Sequence, residues 1–139
     1  MEVTLGLLAD YANITREGKL NVMGIFSLIN APALPWVHPQ MQLVLELEAG
    51  PAEWDTQKDI EIKLLDADAN SILTTGGSIK VPRGKSGRPV RIHSIMTFGN
   101  VKFDVEGDYI FNILIGGETK KQIGLTVNYV RKTPPTVKA

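Results

Sequence analysis

The sequence predicts an all-β protein, a single antiparallel β-sandwich of about eight strands that is immunoglobulin-like or C2-like. Three observations predict this fold class. Apolar residues recur mostly at every second position, which places alternate side chains on one face of a strand. Turn residues interrupt these runs about every eight to twelve positions. The 139 residues suffice for one domain, so we assign residues 1–131 to the sandwich and 132–139, with Pro134 and Pro135, to a flexible C-terminal tail.

The elements can be assigned in order along the chain. The alternating runs predict strands over residues 3–7, 20–29, 41–48, 60–65, 72–81, 90–98, 109–115 and 123–129. The run 20–29 is apolar on both faces, which is typical of a central strand or of a strand with a bulge. Turn residues fill 10–18, and a short helical turn is expected over 51–57. Gly76-Gly77 predicts a bulge or sharp bend, whereas Gly116-Gly117 predicts a tight hairpin.

One local motif supports a sandwich. The segment 107–111, Gly-Asp-Tyr-Ile-Phe, resembles the tyrosine corner of immunoglobulin-like domains. In that motif a tyrosine near a strand start bonds to upstream backbone, and the residue two positions later points into the core. A plain strand that begins with tyrosine after a glycine turn explains the same residues equally well. Under either interpretation we expect Tyr109 and Phe111 to face the core.

The opening of the chain also resembles a known family. The segments LADYA (8–12), GKLN (18–21) and GIF (24–26) are similar to the start of a family of small uncharacterised bacterial proteins expected to be β-sandwiches. The similarity extends through a Pro-rich loop at 31–39 and the segment 107–111. The resemblance implies a fold and no chemistry, so it assigns no role to any residue.

Cysteine content and charge narrow the function classes. The chain has no cysteine, which excludes disulfide frameworks, thiolate nucleophiles and thiolate zinc sites. The net charge is zero, but residues 1–68 carry −7 and residues 69–139 carry +7, a division that hints at an anionic partner or at electrostatic self-association. Overall neutrality argues against double-stranded nucleic acid as a partner. Without a leader-like segment or a long apolar run, we expect a cytoplasmic protein that does not span a membrane.

A basic loop is the first candidate site. Residues 69–103 contain no acid, and cations gather around a Gly- and Pro-rich loop, namely Lys80, Arg83, Lys85, Arg88 and Arg91. Such a loop can bind phosphates, anionic lipid or an acidic protein surface, although a merely solvated loop explains it as well. Gly84-Lys85-Ser86 copies the end of a phosphate-binding P-loop, but Ile79 replaces the required glycine and a strand follows instead of a helix.

The Pro-rich loop 31–39 is the second candidate. Three prolines stiffen it and present Leu34, Trp36 and His38. These side chains suit contact with a partner, or they cap one end of the core.

A weak metal candidate lies at Asp66, Asp68 and Asn70, which copy the opening ligands of a calcium loop. The glycine and bidentate glutamate that such a loop needs later are replaced by Ser71 and Gly77. A hairpin turn explains the three residues too, because Asp and Asn bond their own backbone in turns. We therefore predict no metal site and no cofactor.

Catalytic groups are scarce, so we predict that the protein is not an enzyme. The two histidines, His38 and His93, lie in no recognisable nucleophile or base motif. The leading hypothesis is a non-catalytic protein-binding or assembly module, which presents loops or an edge strand to an unknown protein partner or to another copy. The first alternative is a module that binds calcium or carbohydrate at the 66–70 end. The second is a small hydrolase built from scattered carboxylates and His93.

Overall fold

The computed structural model describes residues 1–131 and contains nine strands and one short 3-10 turn at Pro51–Glu53. The strands are β1 (Glu2–Ile14), β2 (Leu20–Phe26), β3 (Leu28–Ala31), β4 (Trp36–Ala49), β5 (Gln57–Leu65), β6 (Ser71–Lys80), β7 (Val90–Phe103), β8 (Gly107–Ile115) and β9 (Glu118–Tyr129). The all-β prediction is therefore confirmed. The predicted tail, 132–139, lies outside the described residues.

The strands form two sheets. The first sheet has the order β2-β1-β4-β7, and all its neighbours are antiparallel. The second has the order β3-β9-β8-β5-β6, in which β3 pairs with β9 in parallel. The expectation of a purely antiparallel arrangement was wrong for this one pair. The chain passes from β2 in the first sheet directly to β3 in the second, and β3 runs parallel to β9.

The apolar core lies between the two sheets. The first sheet contributes Leu8, Met41, Leu43, Leu45, Leu47, Phe98, Val101 and Phe103, and the second contributes Ile29, Ala31, Ile60, Ile62, Leu64, Tyr109, Phe111, Ile113, Ile115, Leu125 and Val127. The prediction that Tyr109 and Phe111 face the core is confirmed, since they are 2% and 0% exposed. The ring of Phe111 lies 5.5 Å from that of Phe98, across the boundary between the sheets.

The run 20–29 is not a central strand. It is divided at Ser27, where the chain leaves the edge of the first sheet as β2 and joins the edge of the second as β3. The outward side chains Met23 and Ile25 are consequently 64% and 63% exposed. The turn predicted over 10–18 was wrong for its first part, because β1 continues to Ile14 and pairs with β2, and the chain turns only between Thr15 and Lys19.

The strand β4 begins inside the segment 31–39 that the sequence predicts to be a loop. Its pairing with β7 keeps one register throughout. Opposite Pro39 lies Asn100, a residue with left-handed backbone (φ 53°). At this point the side chains that face the core change from even-numbered to odd-numbered positions along both strands. Trp36 and Met41 therefore both contact the core despite their odd spacing. Because the alternation of apolar residues is interrupted here, a pattern of period two does not reveal the first part of β4.

Two glycine pairs behave differently. Gly116-Gly117 forms the predicted two-residue hairpin turn, with φ of 60° and 81°. The bulge predicted at Gly76-Gly77 was wrong, because β5 and β6 stay in register there and shift only between Leu64 and Leu65. The hydroxyl of Tyr109 donates to the carbonyl oxygen of Val105, as a tyrosine corner requires.

Candidate functional site between two strand edges

A cleft separates the edge strands β6 and β7, which belong to different sheets and lie on the same side of the molecule. Its volume is about 460 Å³. It is lined by Ile60, Leu73, Thr74, Thr75, Gly76, Gly77, Ser78, Ile79, Ser94, Met96, Thr97 and Phe98. The lining thus combines apolar side chains with small and hydroxyl-bearing ones.

Small residues on the inner faces create this space. Gly77 lies opposite Ile60 in the β5–β6 ladder, so its missing side chain would point inward. A Cβ placed on Gly77 would have no heavy atom within 4 Å. Ser94 lines the cleft from β7, and Met96 and Phe98 continue that wall beside it. The two sheets are therefore not in full contact along this side.

Both walls of the cleft end in unpaired backbone. Within residues 1–131, β6 pairs with β5 alone and β7 pairs with β4 alone. Alternate N–H and C=O groups on their outer edges consequently have no ladder partner. Neither edge carries a charge or a proline over 71–79 or 94–101, the devices with which proteins protect exposed strands. These edges can accept a further strand.

The predicted basic loop connects β6 to β7 and lies at one end of the cleft. Two of its five cations are paired. Arg83 donates twice to Oδ2 of Asp55, at 3.1 and 2.7 Å, and its guanidinium lies 5.8 Å from the centre of the Trp54 ring. Arg91 lies 3.8 Å from a carboxylate oxygen of Glu48. Both carboxylates come from parts of the chain distant in sequence, so the acid-free stretch 69–103 does not predict these two pairs.

The other three cations have no carboxylate within 4.0 Å among the described residues. Lys80 ends β6, directly after Ile79 of the cleft lining. Lys85 and Arg88 are the first and last residues of a turn closed by a 3.1 Å hydrogen bond from the Arg88 amide to the Lys85 carbonyl. Three exposed cations therefore follow the end of the cleft lining along the chain, and alternation places Lys80 on the outer face of β6, opposite to Ile79.

The Asp-rich segment forms the turn between β5 and β6, near the opposite end of the cleft. Oδ1 of Asp66 accepts hydrogen bonds from the amides of Asp68 and Asn70, both at 2.9 Å. That carboxylate oxygen is therefore occupied by the backbone of its own turn. Within residues 1–131, no three acidic or histidine side chains are grouped as a metal site requires.

The Pro-rich segment packs against the end of the core and not beside the cleft. Leu34 and Trp36 contact the core, and the indole Nε1 of Trp36 donates to Nδ1 of His38 at 3.2 Å. The Phe26 ring lies 5.9 Å from the imidazole. Burial lowers the pKa of His38, which keeps the ring neutral and able to accept this bond, although the negative charge of Asp10 acts in the opposite direction.

His93 lies on the outer face of the first sheet, beside Glu46. Its Nε2 is 3.0 Å from one oxygen of Glu46, and the Thr4 hydroxyl donates to the other oxygen at 2.9 Å. These hydrogen bonds, that of His93 foremost, lower the pKa of Glu46. The carboxylate separates the hydroxyl from the imidazole, so these residues do not form a nucleophile with its base.

Sequence reasoning missed the residues that form the cleft, among them Thr75, Gly77, Ser94 and Met96. The acid-free stretch 69–103 did not predict these residues, because strands without charge are more typical of the interior of a sheet than of its edge. The same stretch leaves most of both neighbouring strands without charge, which is unusual for edges.

The sequence matches the family of unknown function DUF6941 over residues 4–128. The chain belongs to this family. The resemblance to an uncharacterised family is thereby confirmed. No curated protein matches the sequence. Within the described residues, no helix has the length and apolar character needed to cross a membrane.

One similar solved structure is the alkylpurine DNA glycosylase AlkC of Pseudomonas fluorescens bound to DNA containing an abasic site analog. The identity is 10% and the TM-score 0.48, over 88% of this chain and 30% of that one, so the likeness assigns no ligand here. The expectation that excludes double-stranded nucleic acid as a partner is corrected on a different ground, the distribution of charge. The exclusion relied on overall neutrality, whereas net charge averages over a surface on which Lys80, Lys85 and Arg88 gather at one end.

Proposed function

We propose that the protein is a non-catalytic protein-binding module that captures an extended segment of a partner in the cleft between β6 and β7. The observation that carries the proposal is the open cleft between two strand edges that are uncharged over 71–79 and 94–101 and have no ladder partner within residues 1–131. An extended peptide that adds to such an edge forms main-chain hydrogen bonds, and pockets for its alternate side chains supply specificity.

The shape of the cleft supports an extended occupant. A strand paired with β6 directs every second side chain towards the inner faces, where Thr75 and Gly77 leave space above Ile60. The inward side chains would contact Met96 and Phe98, so we expect them to be apolar. The volume of about 460 Å³ lies within the range of about 300–1,000 Å³ for binding clefts.

We infer that the two sheets form a sandwich of the immunoglobulin-like kind, which commonly serves as a binding scaffold. The hydrogen bond from Tyr109 to the Val105 carbonyl supports this type over the C2-like one. The open cleft is independent of that assignment.

The alternatives have less support. A calcium site at Asp66 would compete with the backbone amides that already bond its carboxylate. A hydrolase would need a nucleophile beside a base, whereas Glu46 separates Thr4 from His93.

The test is a selection of displayed random peptides about ten residues long against the purified full chain. We expect enriched peptides with apolar residues at alternate positions and hydrogen-exchange protection of β6 or β7 when such a peptide binds. The variant Gly77→Leu fills the cleft and should abolish binding. Gly124→Leu is the matched control, because it adds the same side chain to an open position on β9, in the outer phase opposite Ile110.

Two outcomes would overturn the proposal. One is a selection that enriches no peptide. The other is binding that Gly77→Leu leaves intact while circular dichroism shows the variant to be folded. If Gly77→Leu fails to fold, protection of the β6 and β7 amides in the wild-type complex decides the question.

A further inference from the structure

Building on that proposed function, we infer that the captured segment carries acidic residues at the end that lies beside Lys80, Lys85 and Arg88. The partner would then be an extended peptide with an apolar, alternating part and an acidic flank.

Both walls of the cleft come from one acid-free part of the chain. Residues 69–103 contain six cations and no acid, and they include β6, the connecting loop and β7. The other lining residue, Ile60, is apolar. Cations are therefore the charged groups nearest the loop end of the cleft, whereas Asp66 and Asp68 lie towards the other end.

Three of these six cations lie within 4.0 Å of a carboxylate from outside the stretch. Arg83 is paired with Asp55, Arg91 with Glu48, and Lys102 with Asp104 at 3.5 Å. The remaining three cations are all at the loop end of the cleft.

The turn that presents these cations is well defined. Gly87, with φ of 79°, allows the tight turn that the Arg88 amide closes on the Lys85 carbonyl at 3.1 Å. Gly84 packs against Trp54, since a Cβ there would lie 3.3 Å from two indole atoms. The backbone of the loop is thus held by contacts between the end of β6 and the start of β7.

A carboxylate-bearing peptide fits this site better than a nucleic acid does. The phosphate backbone of a duplex could contact the three cations, but it cannot pair with strand edges or fill an apolar cleft with side chains. Acidic side chains on an extended peptide satisfy all three features together.

The test uses synthetic peptides that share the core of a selected peptide and differ in a flank of two Glu, two Ser or two Lys, placed at either terminus. Because exposed ion pairs are individually weak, we expect the Glu flank at one terminus to tighten binding about tenfold over Ser in about 20 mM salt. The gain should shrink to about twofold in about 300 mM salt, where screening is strong. Fluorescence anisotropy measures each Kd.

Charge reversal provides the matched comparison. Lys80→Glu, Lys85→Glu and Arg88→Glu together should abolish the preference for the Glu flank while the Ser-flanked peptide still binds. The control reverses Arg16, Lys19 and Lys121, which lie on the β1–β2 turn and on β9, and should keep the preference. Equal binding of Glu- and Ser-flanked peptides at both termini would overturn this inference and leave the proposed function intact. Displacement of the peptide by a duplex of about 20 base pairs, dependent on the same three cations, would also overturn it.

Discussion

The two sides of this molecule differ in whether the chain joins the edges of the two sheets. On one side the chain itself joins the sheets, because β2 becomes β3 at Ser27 and the Ser27 carbonyl accepts a hydrogen bond from the Thr126 amide of β9 at 2.9 Å. On the other side, among residues 1–131, no strand joins the edges β6 and β7, and a cleft lies between them. The comparison indicates that the gap is specific to one side and does not follow from the two-sheet design.

One glycine on each side shows how the packing between the sheets differs. At the closed side, Gly6 of β1 lets β9 approach, since an added Cβ would lie 3.0 Å from Cδ1 of Ile123 and 3.3 Å from Cγ of Lys121. At the open side, a Cβ on Gly77 would meet nothing within 4 Å. The same residue type therefore serves close packing on one side and leaves space on the other.

The largest expected effect tests whether both sides share one core. Phe111 is fully buried, and its ring lies 5.5 Å from that of Phe98, which lines the cleft. Phe111→Ala should lower the free energy of unfolding by about 3–5 kcal/mol, because it removes a large buried ring and leaves a cavity. Urea denaturation measures the change. A loss below about 1 kcal/mol would mean that the space beneath the cleft is already loosely packed.

The second prediction compares the two glycines directly. Gly6→Val should destabilise the protein by about 1–3 kcal/mol, since its methyl groups would crowd Ile123. Gly77→Val should be neutral or stabilise by up to about 1 kcal/mol, because valine suits a strand and here has room. Thermal and urea unfolding of both variants provide the measurement. Equal destabilisation by the two substitutions would contradict the difference between the sides.

The smallest expected effect is a pH dependence of stability at the end of the core that the Pro-rich segment covers. There His38 accepts a hydrogen bond from Trp36. Burial lowers the pKa of His38 below its usual 6.5, so the unfolded chain takes up the proton first. The contribution of the neutral ring is present above pH 6.5 and is lost as the pH falls from 6.5 through the lower folded pKa. His38→Gln removes this titration. Between about pH 7.5 and pH 5 we expect the wild-type Tm to fall about 1–2 °C further than that of the variant, and parallel profiles would refute this.

The sequence predicted those parts of the fold in which apolar phase and turn chemistry agree. The hairpin at Gly116-Gly117 and the burial of Tyr109 and Phe111 are examples. It failed where tertiary pairing decided the outcome. The residues after Asp10 look like a turn but extend β1, because β2 lies beside them.

The candidate site was predicted only in part, for a related reason. The five loop cations could be read from the sequence, yet the pairing of Arg83 with Asp55 depends on a contact between residues distant in the chain. The cleft was not predictable, since Gly76-Gly77 indicates a bulge as readily as an open wall. Which strands become edges is a property of sheet order, and no local pattern in β6 or β7 encodes it.

The parallel pairing of β3 with β9 also has a consequence for the order of folding. Leu28 pairs with Thr126, about a hundred residues later, whereas the strands of the cleft side pair within 36–103, apart from the β5–β8 ladder. Long-range pairing requires closure of a long loop, and synthesis from the N-terminus supplies β9 last among the described strands. During translation β3 therefore cannot pair until β9 has been synthesised. The side that stays open is completed early, and the side that closes is completed at the end.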